Sequence, residues 1–301
     1  MPHAGMSRQQ SGAALASHRT HPLASSLAVV DRAVSLLSFQ VRDDSRAGDE
    51  PGGGWIECEH ALADAGFFPR WRAEAARWLA EQHGLAVPEV VPGKTTGSHV
   101  LQLYLIIPSY LGALLFHSAR RVPALVPRLL SFRLDSAVLK EVALRPGRFW
   151  CLPGDPDAGH PDAVPVPDEK ALGAVLRDQV IAHATRFLAV YGGQLRIGRR
   201  MRWATVTDIL DSGLLLAGRS FGSVRAGASD ARLVLGPGDK PLTSASTICE
   251  LTDDRGRHHW TRRRGSCCFL YALPGAERPC ASCPRVGDAE RARIFGTLSP
   301  S

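Results

Sequence analysis

No stretch of this sequence reads as a nucleotide-cradling loop. The glycine clusters Pro51-Gly52-Gly53-Gly54 and Gly236-Pro237-Gly238 lack the strand-to-helix setting and the spacing of a dinucleotide or P-loop site. Neither NAD(P)H nor flavin has an evident anchor. Near the start, Arg19 and His21 interrupt an Ala- and Ser-rich stretch, so the apolar core of a signal peptide does not form. Residues 1–23 read as a disordered tail, and the protein as cytoplasmic. Long apolar runs are also scarce. The single one, from Val100 to Phe116, contains Gln102, Pro108 and Ser109 and has no second span to pair with. A buried helix, kinked or broken near Pro108, is the expectation rather than a transmembrane one. Internal repeats are absent, and only one Cys-x2-Cys knuckle occurs.

The 301 residues are 45% hydrophobic and 22% charged, enough to bury a sizeable core. Helical periodicity dominates. Trp71, Ala75, Trp78 and Leu79 recur at helical spacing after Phe68-Pro69-Arg70, with Gly84 as a C-terminal stop. A longer helix opens at Pro167-Asp168-Glu169, where acids suit the N-terminus, and ends at Gly192-Gly193. It should pack against the next one, roughly 200–218. Between these blocks, the Pro146-Gly147 turn within residues 142–150 suggests a β-hairpin or small antiparallel sheet. The Pro/Gly/Asp-rich run 153–167 reads as a linker or surface loop, and a short helix is expected from about Asp288 to Phe295. The expected fold class is α+β, a mainly helical body over residues 24–252 with a sub-boundary near 153–167. Residues 253–301 form a C-terminal cysteine-bearing region.

That region holds Cys267-Cys268 and Cys280-Ala281-Ser282-Cys283, four thiols in one short loop, whereas Cys58, Cys151 and Cys249 show no ligand spacing. Disulfides suit small secreted scaffolds better than a long chain with an odd cysteine count. Structural zinc usually takes two knuckles, and only one is present. Adjacent cysteines with diverging side chains fit a wider target, such as a two-iron cluster, at least as well. Spacing alone leaves zinc and iron–sulfur open.

The stretch from Arg264 to Gly275, continuing to Cys280-Ala281-Ser282-Cys283-Pro284, resembles the C-terminal motif of the FhuF-like ferric-siderophore reductases. Arg199-Arg200-Met201-Arg202-Trp203-Ala204-Thr205-Val206 is similar to that family's basic segment leading into a Trp-containing helix. The resemblance implies that Cys267, Cys268, Cys280 and Cys283 ligate a 2Fe-2S cluster. Eleven residues separate Cys268 from Cys280, one more than the family's ten, and a turn at Pro274-Gly275 followed by Pro279 can absorb the extra one. It further implies a ferric-siderophore reductase that passes one electron to chelated Fe(III) and releases Fe(II). The helical body of such proteins is also similar to part of the siderophore synthetases, but no phosphate-cradling loop accompanies it here.

Formal net charge is +7, and Arg255, Arg257, His258, His259, Arg262, Arg263 and Arg264 crowd the approach to Cys267. This run reads as a solvated basic loop, as a patch that tunes the cluster through Arg262, Arg263 and Arg264, or as a dock for an acidic ferredoxin or flavodoxin or an anionic ferric chelate. Nucleic-acid binding, with Trp260 stacking on a base, is not expected, since no reading helix carries the arginines. Trp203 and Trp260 are candidate aromatic walls for the chelate. Peripheral membrane association is compatible with the sequence; a membrane span is not expected. The alternative function is a metal- or cluster-containing binding or regulatory module without reductase activity.

Overall fold

The computed structural model describes residues 20–42, 54–276 and 279–298. The expected disordered tail falls largely outside them, although helix α1 (Pro22–Ala33) already starts before residue 24.

Helix α4 (Gly93–Ala119) is the axis of the fold. It is long and apolar enough to cross a membrane by composition, yet most of its apolar window is buried in protein. It packs on α1, on α3 (Phe67–Gln82), on α5 (Glu169–Tyr191) and, most extensively, on α6 (Arg199–Ser220). The helix continues through Pro108, contrary to a break there, because its neighbours bury both flanks of that proline. Close approach of α4 and α6 depends on Gly213, where a Cβ would lie 3.1 Å from Ala113 and 3.2 Å from the Ser109 carbonyl. Helix α7 (Val224–Val234) crosses α6 at a Gly218/Gly227 contact that leaves no room for side chains.

The helix boundaries follow local chemistry. Asp168 caps α5, its carboxylate accepting the Ala171 N–H at 2.7 Å. Gly84, at φ +61°, takes the left-handed position just past α3.

Two small sheets pack against the helices. The first has the order β1 (Ser38–Val41), β5 (Val138–Leu144), β4 (Leu130–Asp135), β2 (Ile56–Glu57), with β1 parallel to β5 and the other pairs antiparallel. The second has the order β3 (Arg121–Pro123), β6 (Phe149–Cys151), β7 (Ala163–Pro165). The Pro146-Gly147 turn is therefore not a hairpin; it carries the chain from β5 to a different sheet. The hairpin is β4–β5, turned at Ser136-Ala137, which occupy left-handed conformations at φ 46° and 70°. Trp71 Nε1 donates to the Ala137 carbonyl at 3.0 Å, pinning a turn that carries no glycine. The expected linker 153–167 is tied down as well: β7 pairs with β6, and buried Arg121 grips Asp155 and Asp157 at 2.6 and 2.7 Å.

The last unit is a hairpin of β8 (Ile248–Thr252) and β9 (His258–Arg262), the cysteine loop and helix α8 (Asp288–Leu298). A domain boundary at 252/253 falls in the turn of this hairpin.

Candidate metal centre

Strand β9 delivers the chain through Arg263-Arg264-Gly265-Ser266 to the cysteine pair, and α6 receives it. Asp208, an almost fully buried acid on α6, accepts the Gly265 N–H at 2.9 Å and the Ser266 N–H at 2.7 Å. One turn further along, Asp211 does the same for the start of β8, accepting from Ser246 Oγ at 2.7 Å and from the Thr247 N–H at 3.0 Å. Burial raises the Asp211 pKa, and these hydrogen bonds oppose that rise. The N-terminal part of α4 supplies the opposite wall. Ser98 Oγ donates to the Cys267 carbonyl at 3.2 Å, and Thr95 Oγ1 to the Phe269 carbonyl at 3.4 Å.

Phe269 adopts φ 61°, a left-handed turn that directs its N–H to Cys267 Sγ at 3.4 Å. Beyond it, Leu273 is buried against Leu79, Ala80 and Val91, and the Ala276 N–H bonds the Leu273 carbonyl at 3.1 Å. Pro274-Gly275, with Gly275 at φ +75°, thus closes a tight turn in the longer spacer. The Cys280–Cys283 knuckle is itself a turn, the Cys283 N–H donating to the Cys280 carbonyl at 2.9 Å.

This knuckle is clamped by a residue the sequence analysis passed over. Arg291 on α8, only 2% exposed, donates to the carbonyls of Ala281, Cys283 and Val286 at 2.7, 3.0 and 2.8 Å, and to Asp288 at 2.7 Å. Its sole sequence signal is a position three residues after Asp288 in a short helix, which says nothing of the carbonyls it serves.

The four thiols lie as two separate pairs, Cys268 beside Cys280 and Cys267 beside Cys283, with no three of their sulfurs within 4.8 Å of one another, and all seven cysteines are free. In the first pair the neighbouring sulfur lowers the Cys280 pKa and raises that of Cys268; the Arg264 charge favours both thiolates. Burial raises Cys283, against a backbone N–H from Arg285. Backbone N–H groups aimed at sulfur, one exposed and one half-buried cysteine at the rim, and two pairs of soft donors fit an iron–sulfur group. Cys58, Cys151 and Cys249 lie in α2 (Cys58–Ala63), β6 and β8, and burial raises the pKa of each.

The basic run is mostly spent inside the protein. Arg264 is buried, donating to Gln102 Oε1 at 2.9 Å and lying 3.8 Å from Asp208. Half-buried Arg262 donates to the Asp208 carbonyl at 2.8 Å, and exposed Arg263 pairs with Asp288 at 2.6 Å. Arg257 and His259 both meet Asp253 at 2.8 Å. Trp203 is buried in the main core, while Trp260 is half-buried on β9 and offers its carbonyl to Arg219 at 2.6 Å. Neither tryptophan lines the cavity beside the knuckle, so the structure does not place them as walls of it.

His259, then the backbone and side-chain donors of Arg257, hold the Asp253 carboxyl well below the usual carboxylate range. A depressed folded-state pKa contributes stability above the unfolded value, about 3.9, and loses it as pH falls through the folded one. Replacing Asp253 with asparagine should therefore lower Tm at pH 7, with the gap to the parent protein narrowing toward pH 3. A gap independent of pH in melts of both proteins would refute the ionic role.

Another group of ligand-type residues, His21, His160 and Asp162, sits at the start of α1. Each histidine Nδ1 accepts a backbone N–H, from Leu23 or Asp162, at 3.1 Å, so these rings act as turn caps.

A cavity of about 320 Å³ opens beside the knuckle, with Ala281 and Ser282 in its wall and Tyr110, Ser212, Arg219 and Arg262 around it. Nothing in the sequence marks it, because its lining comes from α4, α6, β9 and α8.

Residues 264–285, which include all four cysteines, match the family described as the FhuF 2Fe-2S C-terminal domain. The cofactor of that domain is a 2Fe-2S cluster. No curated protein matches the chain. Among solved structures, the chain is similar to aerobactin synthetase IucC from a hypervirulent pathotype of Klebsiella pneumoniae, at 10% identity and a TM-score of 0.39. The alignment covers 62% of this chain and 32% of that one, so the chain spans about a third of that synthetase's length.

Proposed function

We propose that this protein, which carries an FhuF 2Fe-2S C-terminal domain and so an iron-siderophore-related function, is a ferric-siderophore reductase of the cytoplasm. The observation that carries the reading is the position of the Cys280–Cys283 knuckle, whose Ala281 and Ser282 form one wall of a surface cavity. A metal group held there lies next to space that a chelate can enter.

Cys267, Cys268, Cys280 and Cys283 hold the cluster in this reading. When bound, a 2Fe-2S cluster carries one electron, and one electron converts chelated Fe(III) to Fe(II) with no hydride, general base or nucleophile. Oxygen-donor siderophores suit hard Fe(III) and grip Fe(II) far less tightly, so the metal leaves. The protein's residues supply the rest. Asp208, Ser98 and Arg291 fix the loop; the N–H groups of Phe269, Leu270 and Arg285 bond the sulfurs and, with the buried Arg264 cation, favour the reduced, more negative state. An acidic ferredoxin or flavodoxin is the proposed donor. Internal pairing of Arg257, Arg263 and Arg264 leaves little of the basic run for a nucleic-acid backbone.

Anaerobic purification followed by iron, sulfide and zinc assays and EPR after dithionite reduction tests this. Two irons and two sulfides per chain, a spin-half signal on reduction, and reoxidation by ferric siderophore are expected. A colourless protein holding one zinc after attempted reconstitution would refute the reading in favour of a binding module.

A further inference from the structure

The cavity beside the knuckle is unusual in its charge. Arg219 stands exposed at its mouth and half-buried Arg262 lies within, and among the described residues no carboxylate lines it. The nearby acids are already committed: Asp208 and Asp211 face the amides and hydroxyls of the cysteine loop and β8. No acid offsets Arg219, whose one hydrogen-bond partner here is the Trp260 carbonyl; at Arg262, lost hydration and the Arg264 charge are opposed by Asp208 and Asp211, which lie behind it rather than in the cavity. Tyr110 and Ser212, hydrogen-bonded to each other at 3.0 Å, add hydroxyls to the wall. The rim is apolar, with Leu36 68% exposed and Phe295 beside it.

An arginine without an acid, Arg219, beside a second one in a cavity that no carboxylate lines favours an anion, and guanidinium matches carboxylate in a paired hydrogen bond. The volume, about 320 Å³, is at the lower end of the roughly 300–1,000 Å³ typical of ligand pockets. It suits a compact chelate or one edge of a larger one. Resting on the reductase reading, we infer that this cavity selects ferric chelates bearing free carboxylates over neutral trihydroxamate chelates, with Arg219 and Arg262 as the carboxylate-binding groups.

Gallium(III) complexes test binding without reduction, since Ga(III) resembles Fe(III) in charge and size but accepts no electron under these conditions. Calorimetry on the holoprotein should show gallium(III) citrate binding at least about tenfold tighter than a neutral gallium(III) trihydroxamate, a preference that weakens with salt. Arg219→Gln should cut the citrate-complex affinity by about tenfold, the loss of one charge-assisted contact, while Arg219→Lys keeps most of it. Ser212→Asp, which sets a carboxylate in the cavity, should weaken the same complex by a larger factor than the trihydroxamate. Equal affinity for the two complexes, equal binding of metal-free citrate, or an Arg219→Gln protein with parental affinity would overturn the inference. The two readings fail separately. Reduction of ferric trihydroxamate without gallium citrate binding removes the carboxylate selectivity and keeps the reductase; tight, Arg219-dependent binding without reduction of ferric citrate keeps the cavity and removes the reductase.

Discussion

Cys280→Ala should give a folded but colourless protein, with iron and sulfide near zero and ferric-siderophore reduction lost together. Cys280 is exposed and its side chain packs little, so the substitution removes a soft donor at small cost to the fold. It also leaves Cys268 without its thiol partner, which breaks one of the two sulfur pairs. Circular dichroism matching the parent protein would show that the body survives. Parental reductase activity in a colourless variant would remove the cluster from the reaction. Retained colour and iron would instead remove Cys280 from the ligand set.

Arg291→Ala should be the most damaging single change in the C-terminal unit. Three carbonyls in and beside the knuckle lose their donor at once, two of those bonds being buried, and the vacated volume adds a cavity. A buried carbonyl left without its donor costs about 1–3 kcal/mol. The expected readouts are a lower Tm, faster proteolysis after residue 262, and cluster content reduced several-fold even after reconstitution. Arg291→Lys should not rescue it, since one ammonium cannot span three carbonyls that a planar fork reaches. A variant with parental Tm and iron content would show that the clamp is dispensable.

The cysteine loop was largely legible because ligand spacing is a local property. Four thiols in one loop, a knuckle, and a Pro-Gly turn to take up one extra residue are all read along the chain, and the structure closes that turn at Gly275. What surrounds the loop was not legible. Asp208 is one acid among apolar neighbours on a helix, and only the fold shows that it faces two backbone amides more than fifty residues away in sequence. The run Arg262-Arg263-Arg264 reads as one basic patch, yet its members, the last residue of β9 and the two that follow it, reach a carbonyl, a surface acid and a half-buried side-chain amide in turn.

By itself the sequence determined the helices α3, α5 and α6, the short α8 and the spacing of the cysteines. Apolar periodicity, caps and turn residues act within a few positions of each other. Tertiary structure alone decided that Pro146-Gly147 joins two sheets, that β1 lies parallel to β5, and that the cavity at the knuckle holds two arginines and, among the described residues, no carboxylate. Those features depend on which distant surfaces come together, and burial of the apolar core around α4 sets that arrangement, not any local preference.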